Sequence, residues 1–351
     1  MWVYYFIFLT SFLFCSFDFS PRNSTFNKCV FYLFTTILVL IVGFRAVGID
    51  NDSYNYLTMF EMYSTFSISD ILDSVKSFSD VGYVFINNIV YRLGGDFEVV
   101  MLFTALISGG FTYYFLIKRS ELVFLSLLFY LSFFILYRDF TQIRYAIAAS
   151  ICFWVVDKYL KRSFGKCLIL FLVAISFHKA AIVILPILVF VYYINNAKIY
   201  LILPFLGFLI GKSINVLSYF LIFDYSSDHM SIYDNKTSGG GSWSITLFSY
   251  IVVLTIYLLQ KENLTKKYYI YSCWKIVALS AFINSVVIEV SIFQRFSYIS
   301  FQFLVIVLPI FVLSFKHLLN NRWYIVYFIT SIFLLYYGFN MIDNSLIRPY
   351  F

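Results

Sequence analysis

The chain has 351 residues, of which 62% are hydrophobic and 12% are charged, with a mean hydropathy of +0.85. Soluble domains are about half apolar and about a quarter charged, so this composition excludes an ordinary soluble protein. It predicts an integral membrane protein without a soluble domain of any size. The net charge of +7 comes from basic residues in a few short connections, and we expect no nucleic acid as a partner.

Apolar stretches follow one another along the chain and predict a single transmembrane domain over residues 1–351. Because a helix needs about 20 residues to cross a bilayer, we predict an all-α, polytopic protein with about 12 transmembrane helices. The stretches lie near residues 2–17, 29–44, 97–117, 121–137, 141–157, 166–177, 179–194, 199–223, 243–259, 269–288, 296–315 and 323–341. Residues 1–17 lack a basic start and a small-residue cleavage site, which favours a retained helix over a signal peptide.

Basic residues concentrate at alternate connections, which the positive-inside rule assigns to the cytoplasm. Asp157 to Lys166 is the clearest case, with four basic residues against one acid. The opposite connections are then external, and two of them are long. Residues 45–96 are predicted to contain interfacial or re-entrant helices, with a half-length helix near 81–93. Residues 224–242 contain three consecutive glycines, which indicate either a mobile lid or a flexible linker.

Charged residues at the external ends of predicted helices are the functional candidates, because ionisable side chains near membrane depth are costly. Arg45, Arg144 and Arg295 each present a planar guanidinium fork that stays charged and suits a diphosphate. The alternative is that each arginine reaches the interface or pairs with a nearby acid, as Arg45 can with Asp50 and Arg295 with Glu289.

Three further ionisable residues at the external helix ends are candidates, namely Asp50, His178 and Glu289. His178 interrupts a long apolar stretch, where it is either a packing residue or a site residue. In a site, its imidazole can take a hydroxyl proton or donate to a phosphate oxygen. Asp50 and Asp52 allow a metal pair, but two acids arise often by chance in so acidic a loop, and we predict neither metal nor cofactor.

Four motifs resemble the EpsG-like and Wzy-type families of bacterial polysaccharide polymerases, in their order and spacing on a chain of similar length and hydropathy. The motifs are Arg45 to Tyr54 with Gly48 and Asp50 inside it, Gln142 to Ala148 with Arg144, Ala174 to Ala181 with His178, and Gln294 to Tyr298 with Arg295. The sequence departs from the family pattern at three positions, which are Asp52, Lys179 and the shorter spacing from Arg295 to Tyr298.

The resemblance implies a GT-C-like, metal-independent glycosyltransferase in the bacterial inner (plasma) membrane, active at its periplasmic face. Such an enzyme transfers a growing O-antigen, capsule or exopolysaccharide chain from undecaprenyl diphosphate to a sugar hydroxyl of the next lipid-linked repeat unit. An undecaprenyl-diphosphate-linked oligosaccharide is then donor and acceptor, and membrane lipid, a chain-length regulator and a flippase are the further partners implied.

The same resemblance gives each candidate a role. Arg45, Arg144 and Arg295 are expected to bind the diphosphate, and Asp50, His178 and Glu289 to provide the catalytic groups. The supporting residues are Gly48, Asp52, Tyr54, Arg138, Gln142, Lys179, Gln294 and Tyr298.

Three alternatives stay open on the sequence. An O-antigen ligase uses the same donor and a different acceptor, and the motifs separate the two poorly. A flippase or transporter of lipid-linked glycans needs charge within its spans, for which Lys212 and Glu289 are the candidates. A structural subunit of the export machinery needs no set of arginines.

Overall fold

The computed structural model describes residues 1–21, 24–67, 69–71, 80–213, 243–288, 293–319, 322–343, 348 and 350, and every regular element within these ranges is helical. The helices are α1 Trp2–Phe14, α2 Thr25–Gly43, α3 Ser53–Ser64, α4 Val81–Arg92, α5 Phe97–Arg119, α6 Val123–Tyr130, α7 Ile143–Leu160, α8 Phe164–Phe177, α9 Ile184–Tyr193, α10 Ala197–Ser213, α11 Trp243–Lys266, α12 Tyr268–Val286, α13 Gln294–Phe301, α14 Leu304–Ser314, α15 Lys316–Leu319 and α16 Trp323–Asp343. The prediction of an all-α protein is confirmed.

Two 3-10 segments and one π-helical segment extend or connect these helices. A 3-10 turn extends α1 over Cys15–Phe19, a π-helical segment extends α6 over Leu131–Asp139, and a 3-10 segment over Lys179–Val183 leads into α9. The chain divides into two compact units, the first made of Met1–Ile182 and Leu318–Phe351 and the second of Val183–His317.

Several helices have the length and composition of membrane spans. Among the described residues, five segments qualify, namely Trp2–Phe19, Thr25–Gly43, Phe97–Arg119, Trp243–Lys261 and Trp323–Ile342. The α13 and α14 pair, which bends by 53°, provides a sixth if the two helices form one span. The protein is therefore a multi-pass membrane protein.

The described residues do not support the predicted count of about twelve spans. The apolar stretch near 121–137 forms the eight-residue α6 and a π-helical segment, and those near 166–177 and 179–194 form helices of 14 and 10 residues. Hydropathy reports that a segment is apolar, and it does not report whether the segment faces lipid or other helices. In this protein, many of the apolar residues outside the candidate spans pack against other helices.

Helix α7 is the centre of the first unit and packs against α5 and α8. Nearly all of its residues are buried, including the small side chains of Ala148 and Ala149, which let neighbouring helices approach. On its α5 side, the rings of Phe115 and Phe153 stack with their centres 4.5 Å apart. This packing fixes the position of Arg144 in the first turn of α7.

Helix α12 is the centre of the second unit and packs against α10, α11 and α13. Gly207 and Gly211 of α10 allow close contact, because a Cβ atom at either position would lie 2.7 Å or less from a backbone oxygen of Phe282 or Ser285. Glycines spaced by four are a common helix-packing device in membranes.

Candidate functional site

Arg144 lies where three helices of the first unit meet. Its guanidinium donates a hydrogen bond to the carboxylate of Asp80, the residue that precedes α4. The guanidinium carbon lies 5.5 Å from the ring centre of Tyr56 on α3 and 5.9 Å from that of Tyr83 on α4. The side chains of Arg144 and Asp80 are 25% and 13% exposed, so a bound molecule can reach both.

Asp80 has an unusual electrostatic setting for a carboxylate. Burial raises its pKa above the ordinary value, although the positive charges of Arg144 and Lys179 act in the opposite direction. Desolvation is the larger effect. A carboxylate with a raised pKa is a stronger base than one on the protein surface.

The end of α8 brings His178 and Lys179 to the same region. Gly82 at the start of α4 packs so closely on α8 that a Cβ atom there would lie 2.7 Å from the Ser176 hydroxyl oxygen. The ring of His178 contacts Tyr145, the neighbour of Arg144, edge to face with 5.2 Å between ring centres. We call Asp80, Arg144, His178 and Lys179 the Arg144 cluster.

The hydrogen bonding of His178 determines what its imidazole can do. Its Nδ1 atom accepts a hydrogen bond from the Ala180 backbone N–H at 3.1 Å. A neutral imidazole that accepts at Nδ1 carries its proton at Nε2. His178 therefore presents a donor, which suits a phosphate oxygen and does not suit the removal of a hydroxyl proton.

Arg45 lies in a different environment from Arg144. It is 1% exposed, its Nε lies 3.1 Å from Asp50 Oδ2, and its Nη1 donates to the Val42 carbonyl oxygen at 2.7 Å. The Asp50 side chain is fully buried. The structure thus contains the Arg45–Asp50 pair that the sequence offered as the alternative to diphosphate binding.

The loop after Arg45 is held by its own polar groups. Gly48 N–H donates to the Ser53 hydroxyl at 2.7 Å, and Asp52 N–H donates to Asp50 Oδ1 at 2.9 Å. Asp52 is half-buried and Tyr54 is exposed. These contacts fix the loop that leads into α3.

Substitution of Gly48 should destabilise the protein, because the φ of Gly48, +93°, lies in the left-handed region. We expect Gly48→Ala to lower the free energy of unfolding by roughly 1–2 kcal/mol, since an L-residue is strained there. A methyl group would also lie 2.7 Å from the Tyr54 hydroxyl oxygen and displace that ring. Thermal melting of the purified protein measures the loss.

Gly94 provides a matched control, because it has a φ of +81° and an added Cβ atom would meet nothing within 4 Å. The difference between Gly48→Ala and Gly94→Ala isolates the contact with Tyr54. A Gly48→Ala protein that melts at the wild-type temperature would contradict the prediction.

Arg138 is fully buried in a closed polar network at the end of the π-helical segment. Its Nη2 donates to the Tyr130 hydroxyl at 3.0 Å, its guanidinium carbon lies 4.4 Å from the Phe134 ring centre, and Tyr130 donates to Asp139 at 2.7 Å. Gln142 is also buried, and its backbone N–H donates to the Arg138 carbonyl oxygen at 2.8 Å. These residues stabilise the turn that leads into α7.

The second unit holds the remaining candidates. Asn284 on α12 is fully buried and accepts hydrogen bonds from Gln294 Nε2 at 2.9 Å and from the Ser297 hydroxyl at 3.1 Å. This network fixes the start of α13, from which the half-buried Arg295 and Tyr298 project. Glu289 lies outside the described residues, as does the loop 224–242.

Sequence reasoning did not single out Asp80, Tyr56, Tyr145 or Asn284. An acid immediately before a helix is a weak signal, because acidic groups favour the start of a helix. The stretch from Arg45 to Asp80 contains six acids, and nothing in the sequence ranks Asp80 above the others.

A family model provides the decisive comparison. The model of the EpsG family matches residues 28–351, a range that includes all four motifs. The chain belongs to the EpsG family. EpsG membership indicates a polysaccharide polymerase-like function of glycosyltransferase type. A search of curated proteins and of solved structures gives no match. The resemblance predicted from the motifs is confirmed. Within this EpsG chain, the Arg144 cluster is more accessible than the buried Arg45 and Arg138.

Proposed function

We propose that the chain polymerises a bacterial surface polysaccharide. It transfers a growing glycan from undecaprenyl diphosphate to a sugar hydroxyl of the next lipid-linked repeat unit, at the external face of the inner membrane and within a GT-C-like arrangement of helices. A flippase that supplies these units and a chain-length regulator are the protein partners that we propose. Membership of the EpsG family and the geometry of the Arg144 cluster support this function.

The observation that carries the proposal is the accessibility of Arg144. Arg45 and Arg138 are buried and paired within the protein, whereas the side chain of Arg144 is 25% exposed. Arg144 and Lys179 provide two positive charges against the one carboxylate of Asp80, and His178 adds a neutral donor. This excess of positive charge suits the diphosphate of a lipid-linked donor, on which negative charge develops during transfer.

The reaction assigns a step to each group. The acceptor hydroxyl oxygen attacks the anomeric carbon of the donor sugar, and its proton passes to the Asp80 carboxylate. The bond between the anomeric carbon and the diphosphate oxygen breaks, and its electron pair stays on the leaving diphosphate. Arg144, Lys179 and His178 stabilise that charge by donating hydrogen bonds.

Asp80 replaces Asp50 as the base in this proposal, because the Asp50 side chain is fully buried against Arg45. The base acts in its deprotonated form, so activity is present above its pKa and is lost as the pH falls through it. Since burial raises the pKa of Asp80, this loss should begin above the pH range of an ordinary carboxyl group.

We expect Asp80→Asn to lower the rate of polymerisation by about 10²-fold and to remove the acidic limb of the pH profile. The measurement is polymer formation by purified protein in proteoliposomes between acidic and neutral pH. An Asp80→Asn protein that keeps the wild-type rate and pH profile would exclude Asp80 as the base.

If His178 acts as a hydrogen-bond donor, a side chain that also donates should replace it in part. We expect His178→Ala to lower the rate by about 10²-fold, and His178→Gln to stay within about tenfold of wild type, because an amide also donates. The same proteoliposome assay measures both. Equal inactivity of the two variants would favour a role as a base instead.

Deleting the gene in its own host tests the function as a whole. We expect surface glycan that carries single repeat units in place of a ladder of lengths, with the ladder restored by the wild-type gene. Complete loss of repeat units from the surface would favour a flippase or a ligase over the polymerase. Undecaprenyl diphosphate released by the purified protein during chain growth would identify the donor directly.

A further inference from the structure

The first unit contains an apolar groove that the proposed reaction does not use. It has a volume of about 420 Å³ and lies between α5, α7 and α8. Its walls are apolar, and its basic end lies at Trp154 and Lys158, toward the ends of α5 and α7 that are remote from Arg144. Leu106 and Tyr114 on its α5 wall are 49% and 48% exposed, so the groove opens to the surroundings of the helix.

The basic end of the groove has a distinct arrangement of rings and cations. Tyr114 and Trp154 stack with their ring centres 5.2 Å apart and an angle of 17° between their planes. Lys118 Nζ lies 2.9 Å from the Tyr114 hydroxyl oxygen, and Lys158 Nζ lies 5.6 Å from the Trp154 ring centre. Aromatic rings beside lysines are typical of the boundary between lipid headgroups and acyl chains.

Positive charge is in excess beside this end of the groove. Arg119, Lys158 and Lys161 have nitrogen atoms 2.5, 4.0 and 3.1 Å from the single buried carboxylate of Asp157. Three cations therefore face one anion, and Lys118 lies next to Arg119 in the chain. The groove thus combines an apolar wall with a cationic rim.

We propose that the groove binds an anionic membrane phospholipid, with an acyl chain along the apolar wall and the phosphate against Lys118 and Lys158. The basic rim and the apolar wall match the two parts of such a lipid. The polyprenyl tail of the substrate matches the apolar wall, but it would bring no anion to the basic rim. Lys158 follows Arg144 by 14 residues, which is about 21 Å along α7, so a diphosphate at Arg144 does not reach this rim.

Gly110 offers a way to fill the groove without disturbing the fold. It lines the groove, and a Cβ atom added there would meet nothing within 4 Å. Gly165 on α8 is a matched control, because it is also an exposed helical glycine with nothing within 4 Å and it does not line the groove. Gly110→Leu should block the acyl chain, and Gly165→Leu should not.

Native mass spectrometry of the full chain in detergent tests the proposal, with phosphatidylglycerol and phosphatidylethanolamine of identical acyl chains as probes. We expect the wild-type protein to retain phosphatidylglycerol in preference to phosphatidylethanolamine. Replacing Lys118 and Lys158 by Gln should weaken phosphatidylglycerol binding by about fivefold for each lysine. Gly110→Leu should weaken binding of both lipids, and Gly165→Leu should match wild type.

Three outcomes would overturn the proposal. The first is equal retention of the two lipids by the wild-type protein, and the second is equal phosphatidylglycerol binding by Gly110→Leu and Gly165→Leu. The third is displacement of phosphatidylglycerol by undecaprenyl phosphate, which would assign the groove to the substrate tail. None of these measurements depends on the polymerase reaction, so the two proposals can fail separately.

Discussion

Arg144→Ala should lower the rate of polymerisation by about 10²–10³-fold and leave the protein folded, because it removes the accessible donor fork of the site. The Arg144 side chain is 25% exposed and the Asp80 side chain is 13% exposed, so the carboxylate that loses its partner keeps some contact with solvent. Polymer formation in proteoliposomes measures the rate, and thermal melting measures folding.

Arg144→Lys separates charge from geometry. Lysine keeps the positive charge and loses the planar fork that binds two phosphate oxygens, so we expect a rate between those of wild type and Arg144→Ala. Arg322 is an exposed arginine outside the Arg144 cluster, and Arg322→Ala serves as the control. Wild-type chain length in both Arg144 variants would remove this residue from the mechanism.

Arg45→Ala should differ from Arg144→Ala in its effect, because it should destabilise the folded protein. The fully buried Asp50 carboxylate would lose its partner, and an unpaired buried charge costs about 3–5 kcal/mol. Total stabilities are only about 5–15 kcal/mol, so a large fall in yield and in melting temperature is expected. Membrane-inserted yield and thermal melting in detergent are the measurements.

The double variant Arg45→Met/Asp50→Leu distinguishes the pair from a substrate site. Replacing both charges by apolar groups of similar volume is often neutral, so the double variant should recover much of the stability lost in Arg45→Ala. If Arg45→Ala instead folds as wild type and makes no polymer, Arg45 binds substrate as the motif first indicated.

The sequence was sufficient for the fold class and for the long spans. Helices such as α2 and α5 carry apolar residues over a membrane-crossing length, and composition alone identifies them. Helix α7 shows the limit of this reasoning. Its residues are apolar because they pack against α5 and α8, and hydropathy does not distinguish that reason from contact with lipid.

The candidate site shows a similar limit. Arg45 and Asp50 are five residues apart, so their pairing was open to prediction from the sequence. Arg144 and Asp80 are 64 residues apart, and they meet because α4 packs on the end of α8. No local pattern specifies such a contact. The tautomer of His178 likewise depends on the 3-10 segment that follows it, which hydropathy does not reveal.

The short length of α3 and α4 has a consequence for the supply of substrate. Each helix has 12 residues and is about 18 Å long, too short to cross a bilayer core of about 30 Å. Tyr56 and Asp80 are therefore positioned beside Arg144 by segments that cannot span the membrane by themselves. For the polymerase proposed above, we expect a site held by such helices to accept lipid-linked substrates from one face of the membrane, so that the rate of chain growth depends on the protein that delivers repeat units to that face.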